Sequence, residues 1–336
     1  MTTLTVPARP AQDAGLRPVP WRRMAWVTWR QHRLALGGVV LVLGGLAVYL
    51  WRTGLGIHQA WAADAACHPA NSAACGQIGL FLTRNVPTEV TAGILLTLAP
   101  ALIGAFVGAP VLARELETGT FRYAWTQGFG RWRWTLGKLV PLAVAVTAAT
   151  GALSVLSWWF FQPFFADNFG TPLAPALFDL RGVAYAAWTL VAFAIGALAG
   201  MLIRRVVPAM AATLAVYLGL AVVPGLWLRQ HYLPPVLTTS NNLPNFAWVI
   251  SQWYTKGGTF TFPARGTQIV SAVSQLCPSF NGPPAQCLTQ NGYTQWTSYQ
   301  PGDRFWPFQW IEAGWLVALS VLLIAVTIWL VRRRAA

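Results

Sequence analysis

The sequence predicts an all-α polytopic membrane protein with six spanning helices, and three observations support this. The chain is 55% hydrophobic and only 10% charged, whereas a soluble domain spends about a quarter of its residues on charge. Six apolar runs are long enough to cross a hydrocarbon core of roughly 30 Å. Most basic residues lie in the segments that alternate runs would place on the same side of the membrane, which is typical of a membrane protein with a fixed orientation.

None of the six runs contains Asp, Glu, Lys, Arg or His. They are Leu34–Trp51, Val90–Ala113, Leu139–Phe161, Gly182–Ile203, Val206–Leu228 and Ala313–Val331. Only Arg204 and Arg205 separate the fourth run from the fifth, and Pro208 suits the first turn of a new helix. Since two arginines are costly at bilayer depth, we predict a tight helical hairpin here. One long buried helix is the alternative.

The charges indicate the orientation. Of the 23 Lys and Arg residues, 16 lie in segments 1–33, 114–138, 204–205 and 332–336. The positive-inside rule therefore assigns both termini to the cytoplasm, and it accounts for the basic net charge without a nucleic-acid partner. The chain divides into a disordered tail (1–19), a membrane part with five spans (20–235), an extracytoplasmic cap (236–310), and the sixth span with a basic tail (311–336).

All four cysteines lie in the predicted outer segments, where disulfides form. We predict the short pairs Cys67–Cys75 and Cys277–Cys287, although four cysteines allow three connectivities and free thiols are the alternative. No metal site is predicted, because His68 beside Cys67 is not followed by a second cluster with zinc-ligand spacing.

The segment between the fifth and sixth runs is too long for a bare connector and too polar to cross a membrane. We expect a small folded cap held by one disulfide. Its tryptophans are expected in the cap core or at the headgroup level; they are Trp248, Trp253, Trp296, Trp306 and Trp310. At the start of the fourth run we expect a local salt bridge between Asp179 and Arg181.

Two segments on the predicted cytoplasmic side carry candidate functional residues. A helical wheel of residues 21–33 groups the arginines on one side, which is typical of an interfacial elbow helix on the inner leaflet; a basic flank that only sets topology is the alternative. The elbow residues are Trp21, Arg22, Arg23, Trp26, Trp29, Arg30 and Arg33. The second segment, 114–138, combines charges, aromatic residues and glycines, which is typical of a docking surface for a protein partner; a solvated loop is the alternative.

The sequence resembles the permease subunit of ABC-2 type transporters, particularly those of high-GC actinobacteria. The resemblance covers residues 20–235 and 310–334, and the motifs that carry it are Trp29–Gln31 with His32 and Arg33, Gly108–Pro110, Arg114–Thr120, Trp125–Gln127 and Phe178–Gly182. It implies a bacterial plasma membrane protein whose loop after the second span is a coupling helix that contacts a separate ATPase. The coupling residues are then Arg114, Glu115, Glu117, Gly119, Phe121, Arg122 and Trp125. The long outer segment departs from the family pattern.

No catalytic centre is predicted, so the chain is not expected to be an enzyme. The phosphate-binding motif G-x-x-x-x-G-K-[ST] is absent from the sequence, and Gly137-Lys138 leads directly into a span. ATP and Mg²⁺ are therefore expected only in the partner ATPase. Small residues such as Gly37, Gly44, Gly104 and Gly108 are expected to let helices pack closely.

Because the spans lack the ionisable residues that ion-coupled carriers use, the sequence favours a subunit of an ATP-driven exporter over a secondary transporter. We expect a homodimer that moves a hydrophobic or amphipathic substrate. The alternative from another class is a membrane sensor or binding module that uses the cap, and deletion of residues 236–305 would separate the two.

Overall fold

The structure is a computed structural model that describes residues 21–67, 75, 78–119, 131–166, 170–240, 242–264, 267–278, 282 and 284–334. In this part of the chain six helices have the length and apolar composition to cross a membrane, which confirms the predicted span count. They are called spans 1 to 6: Trp29–Ala65, Ile78–Thr118, Trp132–Ala166, Gly182–Ile203, Val206–His231 and Gly302–Arg333. With six crossings, the start of span 1 and the end of span 6 lie on one side, called here the terminal face. The segment between spans 5 and 6 lies on the opposite side, the cap face.

Span 1 belongs to a single helix, Trp21–Ala65, of 45 residues. At about 1.5 Å per residue it is roughly twice as long as the hydrocarbon core is thick. The elbow is therefore not a separate helix, because residues 21–33 form the first turns of the same continuous helix. At the other end, Arg52–Ala65 and Ile78–Glu89 are helical too, so most of the expected first outer loop is a helical extension of spans 1 and 2. The disulfide Cys67–Cys75 closes its tip, as predicted.

Span 2 consists of the α-helix Ile78–Ile103, the π-helical segment Gly104–Gly108 and the α-helix Ala109–Thr118, and span 3 lies in the helix Arg131–Ala166. The short helix Pro175–Phe178 precedes span 4, which is the helix Gly182–Ile203. Span 5 consists of the α-helix Val206–Val223, the π-helical segment Pro224–Leu228 and the 3-10 turn Arg229–His231, and span 6 lies in the 3-10 turn Gly302–Arg304 and the α-helix Phe305–Arg334.

Spans 4 and 5 form the predicted hairpin. Arg204 ends span 4 in the left-handed conformation (φ 59°), and its N–H donates to the Gly200 carbonyl oxygen. Arg205 is extended, and span 5 starts at the next residue. The reversal thus needs only two residues, and both arginines are exposed.

Span 4 is the central helix of the membrane part, because 67% of its most apolar window is buried, against 17–50% in the other spans. It contacts span 2 with backbone against backbone. A Cβ added at Gly196 would lie 2.3 Å from the Gly104 carbonyl oxygen, and one at Gly200 would lie 2.4 Å from the Ala109 carbonyl oxygen. Gly104 and Gly108 face the backbone of Ala192 and Phe193 equally closely, so the expected packing role of these two glycines agrees with the structure.

The glycines of span 1 behave differently. A Cβ at Gly37, Gly38, Gly44 or Gly45 would meet nothing within 4 Å, so their expected role in packing is wrong within this chain. Span 1 instead packs on span 3 further along. The rings of Trp51 and Trp159 stack with centroids 5.2 Å apart, and His58 stacks on Trp159 at 4.4 Å.

The segment between spans 5 and 6 contains a four-stranded antiparallel sheet, which the all-α expectation omitted. The strands are β1 (Val236–Thr238), β2 (Trp248–Lys256), β3 (Thr259–Pro263) and β4 (Tyr293–Gln300), in the order β1-β4-β2-β3. Helices Thr267–Leu276 and Pro284–Gln290 cover the sheet, and the predicted disulfide Cys277–Cys287 joins the residue after the first helix to the middle of the second. Tyr254, Phe262 and Leu288 form the small core.

The tryptophans expected in the cap divide into two groups. Trp248, Trp253 and Trp296 are half-buried on the sheet, whereas Trp306 and Trp310 lie exposed on the first turns of span 6. The sheet is attached firmly to the spans. Gln300, which is fully buried, donates to the carbonyl oxygens of Gln230 (3.2 Å) and Leu233 (2.8 Å).

Candidate functional site

The described coupling residues lie at the end of the span 2 helix rather than on a separate helix. Arg114 and Glu117 are exposed, Glu115 is half-buried, and Gly119 ends the helix with φ 73°. A left-handed residue at this position is the usual glycine C-cap. Phe121, Arg122 and Trp125 lie outside the described residues.

Both acidic residues of this group have partners inside the chain. Glu115 forms an ion pair with Lys138 at the start of span 3, and the ammonium also lies 4.5 Å from the Trp134 ring centroid. The Lys138 side chain is only 5% exposed, so the pair holds spans 2 and 3 together at the terminal face. Glu117 Oε2 accepts a hydrogen bond (3.0 Å) from the Val206 N–H in the first turn of span 5. A carboxylate there satisfies a free backbone donor and complements the helix dipole.

The start of the long first helix lies beside these residues. His32 and Gln31 line one side of a cavity of about 330 Å³, and Arg114, Glu115 and Thr118 line the other. The Nε2 atom of His32 is buried and has no hydrogen-bond partner in the described part of the chain. The structure therefore brings the predicted elbow and coupling segments together. Of the other elbow residues, Trp26, Trp29, Arg30 and Arg33 are exposed, and the Arg30 guanidinium lies 5.4 Å from the Trp26 ring centroid. The side chains of Trp21, Arg22 and Arg23 lie outside the described residues.

At the cap face, a buried ionic cluster joins the ends of spans 4, 5 and 6. The Arg229 Nη2 atom donates to Asp179 Oδ1 (2.7 Å) and to Glu312 Oε1 (2.9 Å), and Nε donates to Glu312 Oε2 (3.1 Å). The side chains of Arg229 and Glu312 are fully buried, and Asp179 is 28% exposed. Such charge-assisted bonds are strong, and each depends on the others to offset desolvation.

Neutral donors complete the cluster. Trp188 Nε1 donates to Glu312 Oε1 (2.9 Å) and to Asp179 Oδ1 (3.2 Å). The Tyr232 hydroxyl donates to Glu312 Oε2 (3.1 Å) and accepts from Trp315 Nε1 (3.0 Å). Burial raises the pKa of Asp179 to about 8; the Arg229 guanidinium opposes this shift, and the Glu312 carboxylate adds to it.

The cluster corrects the expected pair Asp179–Arg181, because Asp179 pairs with Arg229. Arg181 is 1% exposed and points among aromatic rings, with its guanidinium 4.1 Å from the Phe165 ring centroid. It donates one hydrogen bond, to the Pro172 carbonyl oxygen (3.3 Å), and has no ion pair in the described residues. Burial lowers the pKa of Arg181 to about 9.

The motif Phe178–Gly182 has a physical explanation here. The Phe178 ring lies under the Arg229 guanidinium at 4.1 Å, and Asp179 supplies the carboxylate. Gly182 adopts φ 68°, and a Cβ there would lie 2.6 Å from Gln309 Oε1. That oxygen accepts from the Ala184 N–H, and Gln309 Nε2 donates to the Phe178 carbonyl oxygen, so the motif also joins span 6 to span 4.

The ionic cluster was missed from the sequence, although a signal existed. Asp179, Arg229 and Glu312 stand one to three residues outside the fourth, fifth and sixth apolar runs, at the ends that share the cap face. Charges of both signs at the same depth in the membrane predict an ionic cluster if the spans that carry them are adjacent in the fold.

A cavity of about 600 Å³ lies beside the cluster, between spans 2, 4 and 5. Apolar residues of span 2 form one wall, and Trp188, Tyr185 and Tyr217 form the opposite wall. Two carboxylates, those of Glu89 and Asp179, complete the lining.

The six apolar helices, with a polar cluster at one face and a charged junction at the other, define a multi-pass membrane protein. A family model described as "ABC-2 membrane transporter related" matches residues 39–229, which is more than half of the chain. The protein belongs to this ABC-2 family, whose members are membrane transport components rather than enzymes and typically work with an ATPase partner. No match was found among curated proteins or among solved structures.

Proposed function

We propose that this permease is the membrane subunit of an ATP-driven exporter in a bacterial plasma membrane, with both termini in the cytoplasm. Two copies would enclose the pathway, and a separate ATPase would dock on residues 114–128. The observation that carries the proposal is the family match over spans 1 to 5, in a chain whose sequence lacks a phosphate-binding motif. Energy must then come from a partner.

The contacts at the terminal face support this docking site. Glu115 is held by Lys138 on span 3, and Glu117 by the first turn of span 5. A force applied at the end of span 2 therefore reaches spans 3 and 5 through short polar contacts. Arg114, in the same turn, is exposed, has no ion pair in the described residues, and is free to contact a partner.

The internal partners of Glu115 and Glu117 make them poor probes of docking, because their replacement also loosens the spans. Arg114→Ala avoids this problem. We expect Arg114→Ala to weaken binding of the ATPase about tenfold, the scale of one exposed charge at an interface. Arg333→Ala, which removes an exposed arginine near the C-terminus on the same face, should leave binding unchanged.

The measurement is the affinity of the purified full-length permease in lipid nanodiscs for the ATPase that co-purifies with it. ATP hydrolysis by the complex is recorded in parallel. Equal binding by wild type and Arg114→Ala would refute the placement of the docking site. Failure of any ATPase that carries the phosphate-binding motif to co-purify would refute the proposed function.

A further inference from the structure

The cavity between spans 2, 4 and 5 has features of a small-molecule site. Its volume of about 600 Å³ lies within the range of ligand pockets, roughly 300–1,000 Å³. Val90, Ile94 and Leu98 on span 2 line it while remaining 43–55% exposed, so the cavity opens at an apolar surface. A ligand could therefore enter with an apolar body from the membrane.

The charge of the lining has one sign. Glu89 and Asp179 are its ionisable acids, and no lysine, arginine or histidine among the described residues lines it. Glu89 is half-buried and has no ion pair in the described part of the chain. Asp179 directs Oδ1 to Arg229 and Trp188, yet its side chain is still 28% exposed.

Glu89 is the carboxylate of the lining that has no cation beside it in the described residues. Arg229 lies behind Asp179 and is shared with the fully buried Glu312, so its charge is taken up within the ionic cluster. A half-buried carboxylate without an ion pair attracts a positive charge, and the attraction is stronger there than in water.

The rest of the wall suits the remainder of such a ligand. Trp188, Tyr185 and Tyr217 lie next to Asp179 and are only 1–5% exposed, so they form a closely packed floor against which an apolar body can rest. The Tyr185 hydroxyl already donates to the Leu96 carbonyl oxygen (3.0 Å), so the ring is held in place.

We propose that this cavity binds a lipophilic, monocationic small molecule, with Glu89 as its counter-charge and the exposed face of span 2 against its apolar part. The inference rests on the proposed function, since it names the substrate class that the permease would carry. It is sharper than a hydrophobic or amphipathic substrate, because it specifies the sign of the charge.

The test compares two ions of nearly equal shape and opposite charge, tetraphenylphosphonium and tetraphenylborate. Binding is measured by equilibrium dialysis with the full-length permease in nanodiscs, and uptake by empty nanodiscs is subtracted. We expect the phosphonium to bind at least tenfold more tightly than the borate. Glu89→Gln should weaken phosphonium binding about tenfold, the effect of removing one counter-charge in a partly buried site.

Asp303→Asn is the matched control, because Asp303 is an exposed acid near the cap face outside the cavity. Its phosphonium affinity should equal that of wild type. Asp179→Asn would disturb the bond to Arg229 as well as the cavity wall, so Glu89→Gln decides. Equal binding of both ions, or an unchanged affinity in Glu89→Gln, would overturn the inference.

The outcome is separable from that of the proposed function. An ATPase complex that hydrolyses ATP while the phosphonium fails to bind leaves the exporter proposal standing and rejects the cation site. Selective phosphonium binding without any co-purifying ATPase supports the site and rejects the exporter.

Discussion

Replacement of Arg229 by Met is the sharpest test of the ionic cluster. Methionine is a flexible apolar side chain, so the change removes the charge while retaining part of the packing volume. It deletes three hydrogen bonds of 2.7–3.1 Å to two carboxylates. Glu312, which is fully buried, would keep only the neutral donors of Trp188 and Tyr232. Removal of one partner from a buried ion pair costs about 3–5 kcal/mol.

That loss is a large fraction of the total stability of a typical domain, about 5–15 kcal/mol. The free energy of unfolding is measured on the full-length chain in mixed micelles by SDS titration, followed by tryptophan fluorescence. The double variant Arg229→Met/Glu312→Gln should recover part of the loss, because the second change removes the uncompensated carboxylate.

Arg181→Met provides the matched control, since Arg181 is as buried as Arg229 but has no ion pair in the described residues. We expect Arg181→Met to lower the free energy of unfolding much less than Arg229→Met does. The replacement of Arg181 loses one weak hydrogen bond, but it also removes a buried unpaired charge that itself costs stability. A loss under about 1 kcal/mol for Arg229→Met, or equal losses for the two arginines, would refute the role assigned to the cluster.

Two further predictions concern packing and pH. Gly196→Ala should destabilise the protein by about 1–3 kcal/mol, because its Cβ would lie 2.3 Å from the Gly104 carbonyl oxygen. Gly44→Ala is the control and should not destabilise the protein, because a Cβ at Gly44 meets nothing within 4 Å. Equal SDS midpoints for the two variants would contradict the close contact of spans 2 and 4. Asp179 has a folded-state pKa of about 8 against an ordinary 3.8, so its contribution to stability is complete below pH 4 and is lost as the pH rises to 8. Asp179→Asn should therefore reduce the fall in stability between pH 6 and pH 8, and an unchanged pH profile would count against the raised pKa.

The spans and the disulfides could be predicted because each depends on local information. A run of about 20 apolar residues without charge has few fates other than a membrane helix. The cysteine pairs are eight and ten residues apart on the oxidising side of the predicted topology. The hairpin at Arg204 was equally local, because two charges cannot remain at bilayer depth.

The helical extensions of spans 1 and 2 were not predicted, because the side chains become polar where each helix leaves the hydrocarbon core. The apolar run ends there, but the helical backbone continues. Arg52, His58 and Asp64 give this segment the composition of a loop, while His58 packs on Trp159 of span 3 and stabilises the helix. The cap sheet was missed for another reason. Its strand β2 is rich in aromatic and β-branched residues, which is a strand signal that a search for long apolar runs does not detect.

The ionic cluster required tertiary information. Asp179 and Arg181 are neighbours in the sequence, so a local pair was the simple expectation. The actual partner of Asp179 is 50 residues away, and Glu312 is 83 residues beyond Arg229. The contact depends on which spans are adjacent around span 4, and hydropathy does not contain that information.

The short connection between the cap and the membrane part provides a way to measure movements of the spans during function. Only Pro301 lies between β4 and the first turn of span 6, and Gln300 and Arg304 on either side bind the carbonyl oxygens of Leu233 and Pro234 beyond span 5. The sheet is therefore connected to spans 5 and 6 without a flexible linker in the described residues. A fluorophore at Val270, which is 68% exposed on the cap helix Thr267–Leu276, would therefore report small tilts of spans 5 and 6 as displacements of the cap outside the membrane.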